Sequence, residues 1–352
     1  MEPYLIFVLF VLFFFHRNNS YGILITLIVF ASLRYNTGWD YANYEMMTKE
    51  RTSYVYATET YSVPWKLLFS FCYEKGWSHL AIIIPNILTY FFVYIALHLI
   101  YKENIDKKER MCEALVVYAF WPFFYLSSFS TIRQSLAIGI ILLIFACLYN
   151  KKILYAILLQ VISFYIHPSS IIGIILFPLF LIPFEIKYKH IVIALILSAF
   201  TLLSLSKLIE YINIDALGEY CEIYLNQKDS FGSKLSYLLM LIFLYFSYMW
   251  KYADTQEIKL FYTIIIVAFG VEFIIYKLGF SSVITRIVSY FSIILVLEFY
   301  NSSRNIGGIH TTYVLTLLLI SLFIVYLYLM DTPMAKSLSS SPYVPYTFIW
   351  DK

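Results

Sequence analysis

"HLAIIIPNILTYFFVYIALHLIY", residues 79–101, decides the fold. It holds no Asp, Glu, Lys or Arg. At 1.5 Å of rise per residue it is long enough to cross the ~30 Å hydrocarbon core of a bilayer as a helix. Similar apolar runs lie on both sides of it, near 3–16, 20–34, 113–130, 133–149, 153–167, 169–184, 191–207, 234–250, 260–277, 282–300 and 310–330. With 79–101 they make about twelve spans and an all-α polytopic membrane protein, read as a single transmembrane domain over 1–352. Composition agrees. Of 352 residues 61% are apolar and 13% charged, with a mean hydropathy of +0.76. Soluble domains carry about a quarter charged residues. The formal charge of +3 is too small to argue for nucleic acid. The four cysteines are far apart and show no metal-binding spacing, which leaves apolar packing as their role. No cleavable signal is expected, because the first apolar run follows only "MEP".

Orientation follows from the basic connections. Short ones ("HRNN", "YKENIDKKER", "NKK", "FEIKYKH", "WKYADTQEIK", "NSSRNIGG") hold 12 of the 25 Lys and Arg, leaving 13 for the much longer remainder. The dense set is assigned to the cytoplasm. The outer-face loops 35–78 and 208–233 and the tail from 331 then face outward. Residues 63–78, "VPWKLLFSFCYEKGWS", are too short and too charged to span, and read as an interfacial helix on the outer surface.

Three arginines stand at the ends of apolar runs: Arg34, Arg133 and Arg286. A guanidinium near hydrocarbon must be paired with an anion or stay wet. With His167 at a similar boundary, they point to one anion-binding cavity on the outer face. In "RYNTGWDYANY" (34–44), Gly38 permits a turn that gathers Arg34, Asp40, Trp39, Tyr41 and Tyr44. Aromatic rings beside a cation and a carboxylate suit sugar binding, and an interfacial aromatic belt is the plain alternative. Glu59 is a second carboxylate in the same segment, either a site residue or a helix-capping acid. In "SSFSTIRQS" (127–135), Ser and Thr precede a helix whose N-terminus suits phosphate. Arg133 and Gln134 add donors there. The alternative is an arginine snorkelling to the interface. His167-Pro168-Ser169 opens another helix with Pro168 in its first turn. Histidine as a residue type suits a general base near neutral pH, a role open to His167, although a lone boundary histidine is often structural. For Arg286 the alternative is an ion pair with Glu272, a role open to Lys277 as well. The acidic loop 208–233 is read as solvated.

Taken together, "RYNTGWDYANY", Glu59, "STIRQSLAIGIILLIFACLYNKK", "SFYIHPSSIIGII", "TRIVSYF" and the closing "YVPYTF" resemble, in order, the EpsG-like group of Wzy-type polymerases. One departure is that Glu59 is followed by "TYS" where that group often has a Pro-Gly-like turn. The resemblance implies a multi-span glycosyltransferase of the C type, related in design to O-antigen ligases. Its implied reaction joins undecaprenyl-diphosphate-linked repeat units of O-antigen or exopolysaccharide outside the cytoplasmic membrane. It carries Arg34, Gly38, Asp40, Glu59, Arg133, Gln134, His167, Ser169 and Arg286 as functional positions. Arg133 and Arg286, with Arg34 third, would clamp the diphosphate, and His167 or Asp40 would act as base. Expected partners are the lipid-linked glycans and the lipid bilayer and, by resemblance, a chain-length regulator and a flippase. No Asp-x-Asp cluster occurs, so neither a divalent metal nor another cofactor is expected. The rival readings are a flippase or exporter of the same lipid-linked sugar, and an O-antigen ligase.

Overall fold

The computed structural model describes residues 2–181, 185–211, 230–278, 282–330, 343–344 and 346–350. It divides into two compact units, Met1–Phe180 with Phe299–Lys352, and Leu181–Glu298.

The first unit contains helices α1 (Glu2–His16), α2 (Ser20–Ser32), α3 (Tyr41–Lys49), α4 (Arg51–Thr60), α5 (Val63–Lys75), α6 (Leu80–Ile100), α7 (Lys107–Phe120), α8 (Ser127–Ser130), α9 (Ile132–Tyr149) and α10 (Ile153–Ile166). A 3-10 helix (Pro168–Ile175) and α11 (Leu176–Leu181) follow. The segment read as a loop with one interfacial helix, 35–78, thus holds three helices. α5 is 13 residues long, or about 20 Å, which is shorter than a bilayer core. Pro64 lies in its first turn, and Gly76 ends it in a left-handed conformation with φ +69°.

The core of this unit is α9. It is apolar all round, as a helix without a solvent face must be, and 89% of it is buried. It packs along α6, where Gly139 allows a close approach: a Cβ there would lie 3.0 Å from the Thr89 carbonyl oxygen. Aromatic rings fill the space between α1, α7 and the following turn. Phe7 stacks on Tyr125 at 4.8 Å, and Phe120 meets Phe323 edge-on at 5.6 Å. On α10 the opposite holds. Leu154, Leu158 and Val161 are 67%, 54% and 52% exposed, an apolar surface suited to hydrocarbon rather than water.

Two stretches of the chain depart from the run pattern. The run 113–130 is broken at Trp121, whose extended backbone precedes Pro122 and ends α7. The "NSSRNIGG" segment, expected as a loop, is helical.

The second unit contains α12 (Tyr188–Tyr211), α13 (Ser230–Met249), α14 (Gln256–Leu278) and α15 (Ser282–Ser292). α13 and α14 pair through Phe246 and Tyr262 at 5.4 Å and through a hydrogen bond from Trp250 Nε1 to Thr263 Oγ1 at 3.1 Å. Helix α16 runs over Leu295–Met330, 36 residues or about 54 Å, and contains "NSSRNIGG". Its residues from Phe299 onward belong to the first unit.

Four described helical stretches are long and apolar enough to cross a membrane: Leu80–Ile100, Ile132–Tyr149, Gln256–Lys277 and Thr311–Leu329. Five shorter apolar helices accompany them. The chain is an all-α, multi-pass membrane protein. The acidic loop 208–233 falls mostly on 212–229, outside the described residues, and so does most of the tail from 331.

Two short strands, β1 (Arg34–Tyr35) and β2 (Thr347–Phe348), pair antiparallel, with Arg34 opposite Phe348 and Tyr35 opposite Thr347. Ile349 N donates to Leu33 O at 2.9 Å, and the Tyr346 hydroxyl donates to Phe30 O. "YVPYTF" is therefore a strap that holds the turn following α2.

Candidate functional site

The turn between α2 and α3 is fixed from inside by Arg34, which is fully buried. Its guanidinium donates to the carbonyl oxygens of Ala31, of Thr37 at 3.1 Å and of Phe129 at 3.5 Å, and lies 4.4 Å over the Phe129 ring. Backbone carbonyls and a π face thus take the place of water around the cation. Gly38 follows at φ +92°, and a Cβ there would lie 2.2 Å from the Phe129 carbonyl oxygen. Only glycine permits both the turn and the close approach. Trp39 N donates to Ser130 Oγ at 3.1 Å, while the Trp39 ring is exposed.

These contacts bring Asp40 to the N-terminus of α9, where its Oδ2 accepts the Ile132 N–H at 3.3 Å. The helix end expected to offer its N–H groups to phosphate is thus met by the chain's own carboxylate. Asp40 also precedes α3, whose first turns carry Tyr41 and Tyr44, both buried. The Tyr41 hydroxyl and His79 Nδ1 are 2.9 Å apart. Tyr44 packs edge-on against Trp65 and Phe69, at 6.0 and 5.5 Å. Its hydroxyl meets the Arg133 side chain. Burial, then Asp40, push its pKa well above the usual phenol value, and Arg133 pulls against them. The group therefore stays protonated and remains a donor.

Arg133 stands in the first turn of α9, half-buried, with its guanidinium 4.1 Å over the Tyr61 ring. No carboxylate among the described residues forms an ion pair with it. Gln134, beside it, is buried. Trp65 continues the wall: its Nε1 donates to Ile166 O at 2.9 Å, and Ser62 Oγ donates to Tyr165 O. The N-terminus of α5 thereby rests on the last turn of α10. His167 ends that helix in an extended conformation, half-buried, with Nδ1 2.7 Å from Ser169 Oγ. Pro168 opens the next element as expected, but that element is a 3-10 helix.

The arrangement therefore links Asp40, Tyr44 and Arg133 directly, and reaches the His167 turn through Trp65. Glu59 is exposed on α4. Arg286 belongs to the second unit and is exposed on α15. The Glu272–Lys277 ion pair does not occur. Glu272 is buried, and the Lys277 ammonium lies 4.4 Å over the Tyr237 ring instead. Tyr61, Trp65 and His79 were missed in the sequence. "TYSVPW" holds a usable signal for the first two, because Pro64 marks a helix start directly after the acidic position.

The EpsG family model matches residues 18–348. The chain belongs to the EpsG family. This is a family of Wzy-like polymerases for exopolysaccharide and O-antigen, so the general function is of the polysaccharide-polymerase type. The match begins just after α1, ends with β2 and takes in every candidate site residue named in this subsection, so the strap at "YVPYTF" lies within the EpsG-family region. No curated protein and no solved structure shows significant similarity to the chain.

Proposed function

We propose that this EpsG-family chain is a Wzy-type glycosyltransferase that joins undecaprenyl-diphosphate-linked oligosaccharide repeat units. It acts at the outer face of the cytoplasmic membrane, through about twelve crossings of the C-type architecture. The donor is a growing glycan on undecaprenyl diphosphate. The acceptor is a hydroxyl at the non-reducing end of one new lipid-linked unit. In the reaction the bond from the anomeric carbon to the diphosphate oxygen breaks, and its electron pair leaves with the diphosphate. The acceptor oxygen bonds to the anomeric carbon, and its proton passes to a base.

One observation carries this reading. Arg133, at the N-terminus of a deeply packed helix, lies over Tyr61 without a carboxylate ion-paired to it among the described residues. A fixed cation at a helix N-terminus stabilises charge that builds on a leaving diphosphate. Arg34, with its donors on backbone carbonyls, shapes the turn. His167 is the base and Ser169 orients its ring. Asp40 caps α9 and is the rival base. Grooves between the spanning helices receive the polyprenyl tail.

The test supplies purified protein with lipid-linked repeat units and displays the glycans on a gel. A ladder longer than one unit is expected. Units that stay single, or that only cross a vesicle membrane, overturn the proposal and favour a flippase. Transfer that requires a lipid-A core acceptor favours a ligase.

A further inference from the structure

Helix α10 turns most of its apolar side chains outward and a narrow stripe inward. Its buried residues are Ala156, Gln160 and Ser163, so two of the three are polar. Polar side chains on the inner face of such a helix act as hydrogen-bonding glue between segments. Gln160 Nε2 donates to Ser170 O at 2.9 Å, in the 3-10 helix that follows His167. Its Oε1 is buried without a hydrogen-bond partner, as are the Ser163 and Ser170 hydroxyls. A leucine would fill the same space without an unmet oxygen. The bond to Ser170 O is therefore what the amide adds. Gly173 leaves room for it, since a Cβ there would lie 2.6 Å from Gln160 Oε1.

This bond bears on His167 through the chain. Ser170 N donates to His167 O at 2.9 Å, and Ser169 Oγ lies 2.7 Å from His167 Nδ1. Just before His167, the Tyr165 and Ile166 carbonyls accept from Ser62 and Trp65 at the start of α5. Gln160 thus holds the chain on one side of His167 while α5 holds it on the other. The 3-10 form itself needs a hold. It runs for eight residues, where three or four are usual. Its larger rise makes it about 4 Å longer than an α-helix of the same eight residues. A change to α geometry would move the start of the segment relative to α11 by that amount. The displacement exceeds the roughly 3 Å over which a base contacts the proton it takes.

We propose that Gln160 is a positioning residue for glycan joining. By holding Ser170 O it keeps Pro168–Ile175 in 3-10 form, and so sets the His167 imidazole at the height from which it takes the acceptor proton. This rests on the reading of His167 as the base. Gln160 itself acts through the turn and not on the substrate.

The experiment uses purified full-length protein in detergent and two readouts. The first is carbethoxylation of His167 by diethyl pyrocarbonate without substrate, followed by mass spectrometry. The second is kcat and KM for joining lipid-linked repeat units. In Gln160→Leu, His167 should be modified about fivefold faster, the shift that loss of one ordinary hydrogen bond allows. The same variant should lose about 10²-fold in kcat, the cost of misplacing a reacting group by about 1 Å, with KM unchanged. Gly173→Ala, whose new methyl meets the amide oxygen, should move both readouts the same way, and it replaces Gln160→Leu if that variant does not fold. Ser163→Ala lies on the same face of α10 and leaves the Ser170 bond in place, so it should match wild type in both. Modification of His167 no faster than in wild type overturns the proposal, whatever happens to kcat. An equal change in Ser163→Ala also overturns it, because the effect is then a general repacking of α10. Faster modification in Gln160→Leu, in a protein whose wild type joins no glycan, removes the polymerase reading and leaves the positioning of the imidazole standing.

Discussion

Arg34 hands its donors to Ala31, Thr37 and Phe129, whereas Arg133 lies over the Tyr61 ring and meets the Tyr44 hydroxyl. The two substitutions should therefore fail in different ways. Arg34→Ala leaves buried carbonyls without a donor and opens a cavity, a cost of about 3–5 kcal/mol, read as a lower melting temperature and less protein in the membrane. Arg133→Ala should melt like wild type and lose about 10²–10³-fold in polymer formation. Arg133→Lys should recover little, because an ammonium has neither the planar fork nor the stacking face. For the base, His167→Ala should cost about 10²–10⁴-fold in rate, with Asp40→Asn much milder, since an amide oxygen still accepts the Ile132 N–H. Equal losses in a turnover assay would return Asp40 to the role. The sequence made the charged positions legible, since charge beside apolar runs stands out. It did not reveal which guanidinium was already satisfied. The carbonyls around Arg34 come from three separated places, and no local pattern brings Phe129 to residue 34.

At the scale of elements, long apolar helices were readable from hydropathy alone, as α6 and α9 illustrate. Breaks were readable where proline marks them, as at Pro122. The helices α3 and α4 were not, because their polar, aromatic residues show neither a spanning run nor a strong stripe. Their packing explains a chemical property of α5. Cys72 faces inward from that helix, fully buried, and desolvation pushes its thiol up to about 11. A thiol raised in this way is protonated, and so unreactive, at all pH values well below that figure. Maleimide labelling of Cys72 in folded protein should remain slow at pH 7–9 and become fast on denaturation, as read by mass spectrometry. Rapid labelling at pH 8 would mean that α5 does not stay seated on α3.

Across the whole first unit, the pairing of β1 with β2 was the least legible feature. Two-residue strands carry no periodicity, and their partners lie far apart in the chain. The contact between Tyr346 and Phe30 spans 316 positions. Ile349→Pro removes the N–H that donates to Leu33 and should loosen the Arg34 turn. Expected effects are easier proteolytic cleavage within 34–40 and at least a tenfold loss of polymer, with the spanning helices still inserted. An unchanged cleavage pattern would show that the strap is dispensable.

That strap also sets a schedule for biogenesis. Residues 34–40 leave the ribosome long before the segment that clasps them, so the helices can enter the bilayer while the turn is still unclasped. A nascent or prematurely terminated polypeptide would thus be inserted yet inert, unable to act on precursor lipids until translation delivers its final strand.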